Sequence, residues 1–431
     1  MSKLNILFVT IHEVYSIHER NIYTDFIRQF WLQGHNVSII CPKERKRGIA
    51  THLKDDDGCR ILSVKTLNQQ KTNLIEKGVG MLLIQHQYIH ALRRYFGDTR
   101  FDLVIYTTPP ITFTRVVKFI KRRDGAVSYL WLKDIFPQNA VDLGMMKRGG
   151  VLHRYFRAGE REMYRVSDHI GCMSPANVDY VLRNNPWLPA EKLEVCPNCV
   201  DLGAEVVPAA VSGAAETLAP AAVSVGSAAA VISEHPDRAA LNLRFGIPSN
   251  ATVLIYGGNL GKPQGISFLL EVLASNAGRA DCFFIIVGTG TEYKRLADWV
   301  ASCKPSNVVL LSGLPKAEYD ALVRACDIGM IFLDRRFTIP NFPQRILPYM
   351  EYSMPVLIAS DNVTDMGPIA ADNGFGLYCL SGDVVAFNAQ LNRLVGQPAL
   401  IAEMGQLGYD YLQKHYLAGQ VAGIVLKHFE N

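Results

Sequence analysis

The sequence predicts an α/β protein with two doubly wound lobes, because short apolar runs alternate with helical segments in both halves of the chain. A chain of 431 residues also exceeds what one hydrophobic core usually serves. The first run, residues 4–11, is continuous and apolar, as expected for a strand buried on both faces. Apolar residues at helical spacing follow between residues 22 and 30, and the next run, 36–41, is closed by Pro42. Such a β–α–β unit is the building block of a parallel sheet.

The same alternation of strands and helices continues along the chain. Strands are predicted at 103–106, 127–132, 169–173, 253–256, 282–287, 308–311, 328–332 and 356–359, with helices at 266–273 and 319–325. Between the halves, ten of the twenty-four residues 209–232 are alanine and few are charged, which indicates an insert or a linker. We predict a first lobe at 1–202, an Ala-rich insert at 203–248, a second lobe at 249–414, and a helix at 415–431 that packs back on the first lobe. Ligands of such sheets bind at the carboxyl ends of the strands, here in a cleft between the lobes.

Composition and cysteine spacing argue against a disordered protein, a zinc-binding protein and a membrane-spanning protein. The apolar fraction of 49% and the charged fraction of 19% are those of a globular protein. The nine cysteines contain one close pair, Cys196 and Cys199, whereas a structural zinc site needs four ligands. We therefore expect no metal and the reduced thiols of an intracellular protein. No secretion signal and no uncharged apolar run of about 18 residues is visible, so we expect a cytoplasmic protein that does not span a membrane.

The most informative local pattern is a Gly-rich turn between a strand and a helix, GGNLGKPQG at residues 257–265. Glycines allow close backbone approach, and the helix that follows offers unpaired N–H groups to an anion. Lys262 adds a positive charge, which suits a diphosphate that gains negative charge as its sugar leaves. A second turn, with Gly288 and Gly290, follows the next strand, so the two turns predict a shared phosphate or sugar site. A plain β–α turn with a surface lysine is the alternative.

Charged residues also follow strands of the first lobe. The segment SYLWLKDIFP ends a strand with Lys133 and Asp134, at the edge of the sheet where ligands bind. A solvated ion pair is the alternative for these two residues. The loop after the first strand, HEVYSIHERN at residues 12–21, supplies further His, Glu and Arg side chains. Most of these are expected to form hydrogen bonds within the loop, and one could reach a substrate.

Two segments mix basic residues with aliphatic and aromatic ones, at 115–123 and 147–165. Such a face can lie on anionic lipid headgroups, which predicts a protein on the inner face of the cytoplasmic membrane. A solvated helix with an apolar core face is the alternative for either segment. No nucleic-acid-binding module is recognisable, so no nucleic-acid partner is expected.

Several motifs in a fixed order carry a resemblance to a known family. They are WLKDIFPQNAVDLGM, SPANVDYV and PNCVD in the first lobe, and GGNLGKPQG, VGTGTEYKRL, LSGLPKAEY, ACDIGMIF and RFTIPNFPQRILPYM in the second. Together they resemble the GT-B glycosyltransferases of family 4, and within it the N-acetyl-L-fucosamine transferase subgroup of O-antigen and capsule assembly. The resemblance implies two Rossmann-like lobes and a retaining, metal-independent transfer of a hexosyl-type sugar from a UDP-sugar. The implied acceptor is a lipid-linked saccharide.

The resemblance also implies roles for individual residues. On the donor side these are Gly258, Asn259, Lys262, Gly288, Gly290, Leu314, Pro315 and Arg345, with the diphosphate at Asn259 and Lys262 and the base near Leu314 and Pro315. The implied catalytic residues are Lys133, Asp134 and Lys262, and the implied acceptor side consists of His18, Glu19 and Arg20. The expected mechanism is a front-face displacement in which the leaving diphosphate helps to deprotonate the acceptor hydroxyl. A double displacement would need a carboxylate, for which Asp134 is the candidate.

The chain departs from the family pattern at three places. His18 and Glu19 stand where many relatives have a Gly-Gly turn, and Lys133 stands where many have a histidine. The family's Glu-x7-Glu pair falls on Pro340 and Pro348, so ribose recognition is open. Pro348 is expected to disturb any helix that continues through it. Two alternatives to a transferase follow: a nucleotide-sugar epimerase of the same fold, and a non-catalytic scaffold at the membrane surface.

Overall fold

The computed structural model describes residues 2–68, 74–203 and 238–430. These residues form two compact units, the first built from the chain up to residue 203 together with residues 417–430, and the second from residues 238–416. Most of the predicted Ala-rich insert lies outside the described residues. Within the described ranges, no helix is long and apolar enough to cross a membrane.

The first unit is an α/β sheet with helices on its faces. Its elements are β1 Asn5–Val9, α1 Ile22–Leu32, β2 Asn36–Glu44, β3 His52–Asp56, β4 Cys59–Thr66, α2 Leu74–Tyr95, β5 Leu103–Thr107, α3 Thr114–Asp124, β6 Val127–Leu132, α4 Gln138–Asp142, α5 Val151–Val166, β7 His169–Cys172, α6 Pro175–Asn184 and β8 Leu193–Val195. The strand order is β3-β4-β2-β1-β5-β6-β7-β8, parallel throughout except that β3 runs antiparallel to β4. The order reverses direction at β1, and crevices for ligands form at such points.

Local sequence explains how the chain enters and leaves the first β–α–β unit. Asn21 caps α1 by accepting hydrogen bonds from the N–H groups of Tyr23 and Thr24, and the Thr24 hydroxyl completes a capping box. Pro42 does not close β2 as predicted, because the strand continues to Glu44. The ladder between β1 and β2 ends at Ile40, so beyond that point β2 pairs with β4 alone and has a free edge. A proline is tolerated at such an edge.

The second unit is a parallel sheet of six strands. Its elements are α7 Arg238–Phe245, β9 Thr252–Gly257, α8 Ile266–Ser275, β10 Cys282–Val287, α9 Tyr293–Cys303, β11 Val308–Leu311, α10 Lys316–Arg324, β12 Ile328–Phe332, α11 Ile346–Glu351, β13 Val356–Ser360, α12 Met366–Asp372, β14 Gly376–Leu380, α13 Val384–Leu394 and α14 Pro398–His415. The strand order is β11-β10-β9-β12-β13-β14, with β9 at the point of reversal. A final helix, α15 Ala418–Leu426, belongs to the first unit and packs on α1.

Buried strands form the core of both units, which confirms the predicted α/β class with two doubly wound sheets. Every residue of β9, β10 and β12 is buried, as continuous apolar runs require in a sheet covered on both faces. Phe268 and Leu269 of α8 pack on this sheet from one side. Pro348 does not disturb a helix, because α11 begins at Ile346. In the first turn, the N–H that proline lacks would have no partner within the helix.

Candidate functional site

Two Gly-rich turns follow β9 and β10 and are bonded to each other through their backbones. The N–H of Gly258 donates to the carbonyl oxygen of Val287 over 2.9 Å, and the N–H of Leu260 donates to that of Thr289 over 2.9 Å. A Cβ atom on Gly288 would lie 1.8 Å from the carbonyl oxygen of Gly258, so only glycine fits there. The two turns therefore form one backbone platform at the carboxyl edge of the sheet.

Arg345 lies beside this platform with part of its hydrogen-bonding capacity unused. Its guanidinium carbon is 4.6 Å from the centre of the Tyr256 ring. The same atom is 3.5 Å from the position that a Cβ on Gly258 would take. The Nη1 atom is buried and has no hydrogen-bond partner among the described residues. Burying an unsatisfied cationic N–H is costly, so this atom marks a place for an anion.

Three tyrosines lie close to Arg345, and sequence reasoning did not find them. Tyr256, Tyr319 and Tyr349 are the groups that act on its charge. The rings of the last two occupy space that glycines leave open: a Cβ on Gly257 would be 2.0 Å from the Tyr319 hydroxyl oxygen, and one on Gly329 would be 2.3 Å from the Tyr349 ring. Burial raises the pKa of Tyr349 to about 12, against the effect of the nearby guanidinium. The phenols are neutral at physiological pH and do not compensate the positive charge.

Lys262 adds a second cation next to the turns. It begins a single turn of 3-10 helix, Lys262–Gln264, and its side chain is exposed. Within this loop the Asn259 amide nitrogen donates to the Gln264 amide oxygen over 3.2 Å. The helix α8 starts directly after Gly265, which has a left-handed φ of 56°. The first N–H groups of α8 therefore lie near the same turns, where an anion is stabilised.

The other residues predicted on the donor side lie on adjacent strands. Leu314 and Pro315 follow β11, and Pro315 directly precedes α10. A Cβ on Gly313 would be 3.4 Å from the methyl group of Thr289 in the second Gly-rich turn. Since β11, β10, β9 and β12 are neighbours in that order, the structure brings all the predicted donor-side residues to one edge of one sheet.

Lys133 and Asp134 follow β6 in the first unit, but they do not form the ion pair considered from the sequence. The Lys133 ammonium donates to the Asn198 amide oxygen over 2.6 Å and lies 3.1 Å from the centre of the Trp131 ring. Asp134 instead accepts from the Asn139 amide over 2.8 Å. Burial lowers the pKa of Lys133 to about 7 and raises that of Asp134 to about 6. Both shifts favour the neutral forms, whereas an ion pair would favour the charged ones.

His12 follows β1 and joins this group; it is the first residue of the loop 12–21, in which the sequence indicates that one residue could reach a substrate. Its ring stacks on Tyr23 with the ring centres 4.4 Å apart. Burial, together with the charge of Lys133, lowers the pKa of His12 to about 4, so the imidazole is neutral at physiological pH. Because β1, β5 and β6 are neighbours, His12, Thr108 and Lys133 share one edge of the sheet. The Thr108 hydroxyl accepts from the N–H groups of Lys133 and Asp134, which fixes this strand end.

The residues predicted on the acceptor side hold the loop after β1. The His18 ring lies 2.7 Å from an Asp57 carboxylate oxygen, between β3 and β4. The Glu19 carboxylate accepts from the N–H of Tyr15 over 3.0 Å, and burial raises its pKa. Burial raises the pKa of Asp25 to about 6, and the positive charges of Arg28 and Arg20 act against this rise. These contacts order the loop, and a role of the three residues in acceptor binding stays a prediction.

Both halves of the chain match families of glycosyltransferases. Residues 25–199 match the Glycosyl transferase 4-like domain, and residues 237–410 match the Glycosyl transferases group 1. The protein is a glycosyltransferase. The match agrees with the GT-B fold, whose two α/β sheets are parallel here except at β3, and it confirms the class of enzyme that the sequence predicted.

This glycosyltransferase is similar to several known proteins over most of its length. A probable glycosyltransferase, WbjE of Pseudomonas aeruginosa, is 20% identical over 354 residues, which cover 80% of each chain. Sucrose-phosphate synthase of Thermosynechococcus elongatus has the same fold with a TM-score of 0.71 at 13% identity, covering 99% of this chain and 98% of that one. HepE of Anabaena, solved in complex with UDP and glucose, has a TM-score of 0.64 at 13% identity and covers 99% of both chains.

The glycosyltransferase lacks the acidic pair that the family pattern places after β12. Pro340 and Pro348 occupy its two positions, and Glu351 lies at the far end of α11. Glu351 is six positions after Arg345, or about 9 Å away along the helix axis. Among the described residues, no three His, Cys, Asp or Glu side chains form a group that could hold a metal ion. Arg345 and Lys262 are the cationic side chains that lie beside the Gly-rich turns.

Proposed function

We propose that this glycosyltransferase moves N-acetyl-L-fucosamine from a UDP-sugar to a lipid-linked saccharide in the assembly of a bacterial surface polysaccharide such as O-antigen or capsule. The transfer proceeds with retention at the anomeric carbon and without a metal ion. The observation that carries the proposal is the unpartnered Arg345 Nη1 beside the platform of Gly258 and Gly288. A diphosphate would satisfy this donor and compensate its charge.

The second unit binds the donor in this proposal. The diphosphate lies among Arg345, Lys262 and the first N–H groups of α8. The nucleotide base contacts Leu314 and Pro315, which follow β11, two strands from β9 in the sheet. We take the nucleotide to be UDP, and the support is that HepE, which shares the fold, was solved with UDP. The sugar and the polysaccharide pathway rest on the sequence resemblance described above.

The chemical step is a front-face displacement. The bond between the anomeric carbon and the diphosphate oxygen breaks, and the acceptor oxygen forms its bond on the same face of the sugar. The acceptor proton moves to the leaving diphosphate oxygen, whose developing charge Arg345 and Lys262 stabilise. Lys133 and Asp134 position a substrate by hydrogen bonding in this scheme. Near pH 7 Lys133 is divided between its charged and neutral forms, because its pKa is lowered to about 7, whereas Asp134, with a pKa of about 6, is mostly ionised.

The first unit binds the acceptor in this proposal. Its strand ends carry His12, Lys133 and Asn198 for sugar hydroxyls. Its loop after β1 carries His18, Glu19 and Arg20. A lipid-linked acceptor would bring the enzyme to the inner face of the cytoplasmic membrane as a peripheral protein.

Release of UDP from nucleotide sugars tests the proposal, measured with and without a lipid-diphosphate-linked saccharide. We expect UDP release that depends on the acceptor. Lys262→Ala should lower kcat/KM by about tenfold to a hundredfold, because a charge aimed at the leaving group is lost. The matched control is Lys294→Ala. Lys294 is an exposed lysine of α9 that pairs with Asp298 at i,i+4, and its loss should leave kcat/KM nearly unchanged.

Other outcomes would point to other functions. Conversion of the donor sugar without any acceptor would indicate an epimerase. Absence of nucleotide-sugar binding, measured by calorimetry, would indicate a scaffold at the membrane. Unchanged turnover and donor affinity in Lys262→Ala would remove this residue from the diphosphate site.

A further inference from the structure

Three neighbouring helices of the first unit, α2, α3 and α5, present one outer surface, here called the α2–α3–α5 face. The helix α3 packs against both α2 and α5. A groove between α2 and α3 is lined by Ile89 and Arg93 on one side and Phe119 and Arg122 on the other. Side chains from all three helices line a second groove, in which Tyr155 of α5 lies opposite α3. The face is therefore continuous from α2 to α5.

Large apolar side chains stand exposed at one end of this face. In α5, Val151 is 88% exposed, Leu152 56% and Tyr155 57%. In α2, Leu82 and Leu83 are also exposed. Helical spacing places Leu82 on the side of α2 that carries Ile89 and Arg93, toward α3. Apolar side chains grouped in this way mark a surface that contacts something other than water.

Basic side chains lie among these apolar ones. The Glu162 carboxylate on the face is already paired with Lys118 and Arg165. Other arginines on the face are exposed and form no ion pair with described residues; they are Arg122, Arg154 and Arg161. The face thus carries an uncompensated positive charge.

The grooves between these cations have the size and lining of headgroup sites. The groove between α2 and α3 has a volume of about 570 Å³, with apolar walls from Ile89 and Phe119 and cationic rims. A groove of about 450 Å³ runs along the outer side of α5, lined by Arg154, Arg161 and Arg165. Both volumes lie within the range of about 300–1,000 Å³ that is typical of sites for small molecules.

We infer that the α2–α3–α5 face docks on a bilayer that carries anionic phospholipids, with Val151, Leu152 and Tyr155 entering the boundary of the acyl chains and the arginines contacting phosphate groups. Helices with aliphatic and aromatic tips among basic residues lie on membranes in this manner. A protein partner would require counter-charges, because protein interfaces are depleted of unpaired charges at their core. The inference deepens the proposed function, since a lipid-linked acceptor lies in that bilayer.

Sedimentation with vesicles tests this docking on the full-length protein, without donor or acceptor. We expect binding to vesicles of phosphatidylglycerol mixed with phosphatidylcholine, weaker binding at high salt, and little binding to phosphatidylcholine alone. The double variant Val151→Ser/Leu152→Ser should weaken the apparent affinity by about tenfold or more, because two side chains no longer enter the bilayer. The charge variant Arg154→Glu/Arg161→Glu should weaken it at least as much.

The matched control is Leu243→Ser/Val385→Ser in the second unit. These two residues are 88% and 77% exposed, so the control makes the same chemical change at comparable exposure. It should bind vesicles like the wild type. Exposed substitutions of this kind have small effects on folding, and a thermal melt of each variant verifies this.

Three results would overturn the docking inference. They are the absence of binding to anionic vesicles, equal weakening by the control variant, and a lipid-independent dimer that dissociates on Val151→Ser/Leu152→Ser, which would make the face an interface between copies. Failure of the proposed function is distinguishable. Vesicle binding without sugar transfer would contradict the transfer proposal alone, and transfer to a detergent-solubilised acceptor without vesicle binding would contradict the docking alone.

Discussion

Lys133 illustrates how a single buried residue can reduce the stability of the protein and still be useful. Burial lowers its pKa to about 7, so below that pH the folded protein holds a poorly solvated ammonium group. The Asn198 amide oxygen and the Trp131 ring lie nearest to it, and neither carries a full negative charge. A residue kept at such a cost is expected where a substrate supplies the missing partner. Polar groups of an acceptor sugar would do so.

We predict that Lys133→Met stabilises the free protein at pH 6–7, by about 1 kcal/mol after loss of the Asn198 bond. The unfolded chain binds a proton at Lys133 up to pH 10.5, whereas the folded protein releases it near pH 7. The stability of the wild type therefore rises with pH between about 7 and 10.5, and the advantage of the variant should shrink over that range. Urea unfolding at several pH values measures this, and an advantage independent of pH would contradict the explanation.

At the scale of elements, the platform of the second unit depends on contact between two turns. The turns after β9 and β10 approach so closely that a Cβ on Gly288 would be 1.8 Å from the carbonyl oxygen of Gly258. The sequence showed two Gly-rich turns but not this reason for them. Their glycines give room for neighbouring backbone and for Tyr319, and thereby fix where Arg345 lies.

We predict that Gly288→Ala lowers the free energy of unfolding by about 2–3 kcal/mol, because backbone atoms must move to accept the new methyl group. UDP binding should weaken as well, since Gly258 would shift. Gly313→Ala is the control: its Cβ would meet only the Thr289 methyl group at 3.4 Å, so stability should change little. Urea unfolding and calorimetry with UDP measure both effects, and equal losses in the two variants would refute the role of the platform.

Apolar runs predicted the central strands well, because a strand buried on both faces is almost entirely apolar. The predicted bounds of β6, β10, β11 and β12 agree with the structure. The edge strand β3 was not predicted: its sequence, HLKDD, is polar and mostly exposed, so no apolar pattern reveals it. The helix α2 was also not predicted from the sequence.

The candidate site was predictable from the sequence only where its residues lie together in one continuous segment. The Gly-rich turn and Lys262 lie in a single stretch of nine residues, 257–265. The tyrosines around Arg345 come from β9, α10 and α11, which only the folding of the parallel sheet brings together. Periodicity within a segment contains no information on such contacts. Asn198 near Lys133 is a similar case, because the two partners are 65 positions apart in sequence.

At the scale of the whole molecule, the chain completes the first unit with its last residues. After leaving the second unit it forms a bridge from Leu417 to Val200, and α15 then packs on α1. Val421 of α15 is fully buried, and the N–H of Ala418 donates to the Val200 carbonyl oxygen over 2.9 Å. The last helix is therefore part of the core of the first unit, although 214 residues, 204–417, separate it from residue 203 in sequence.

We predict that Val421→Ala lowers the stability of the first unit by about 1–2 kcal/mol, because two buried methyl groups are lost and a small cavity remains. Hydrogen exchange followed by mass spectrometry should show faster exchange in α1 and α15, with α8 and β9 unchanged. Val385→Ala in the second unit, where the side chain is 77% exposed, should alter neither region. If exchange instead increased equally in α8, the two units would unfold together, and the end of the chain would stabilise the whole molecule.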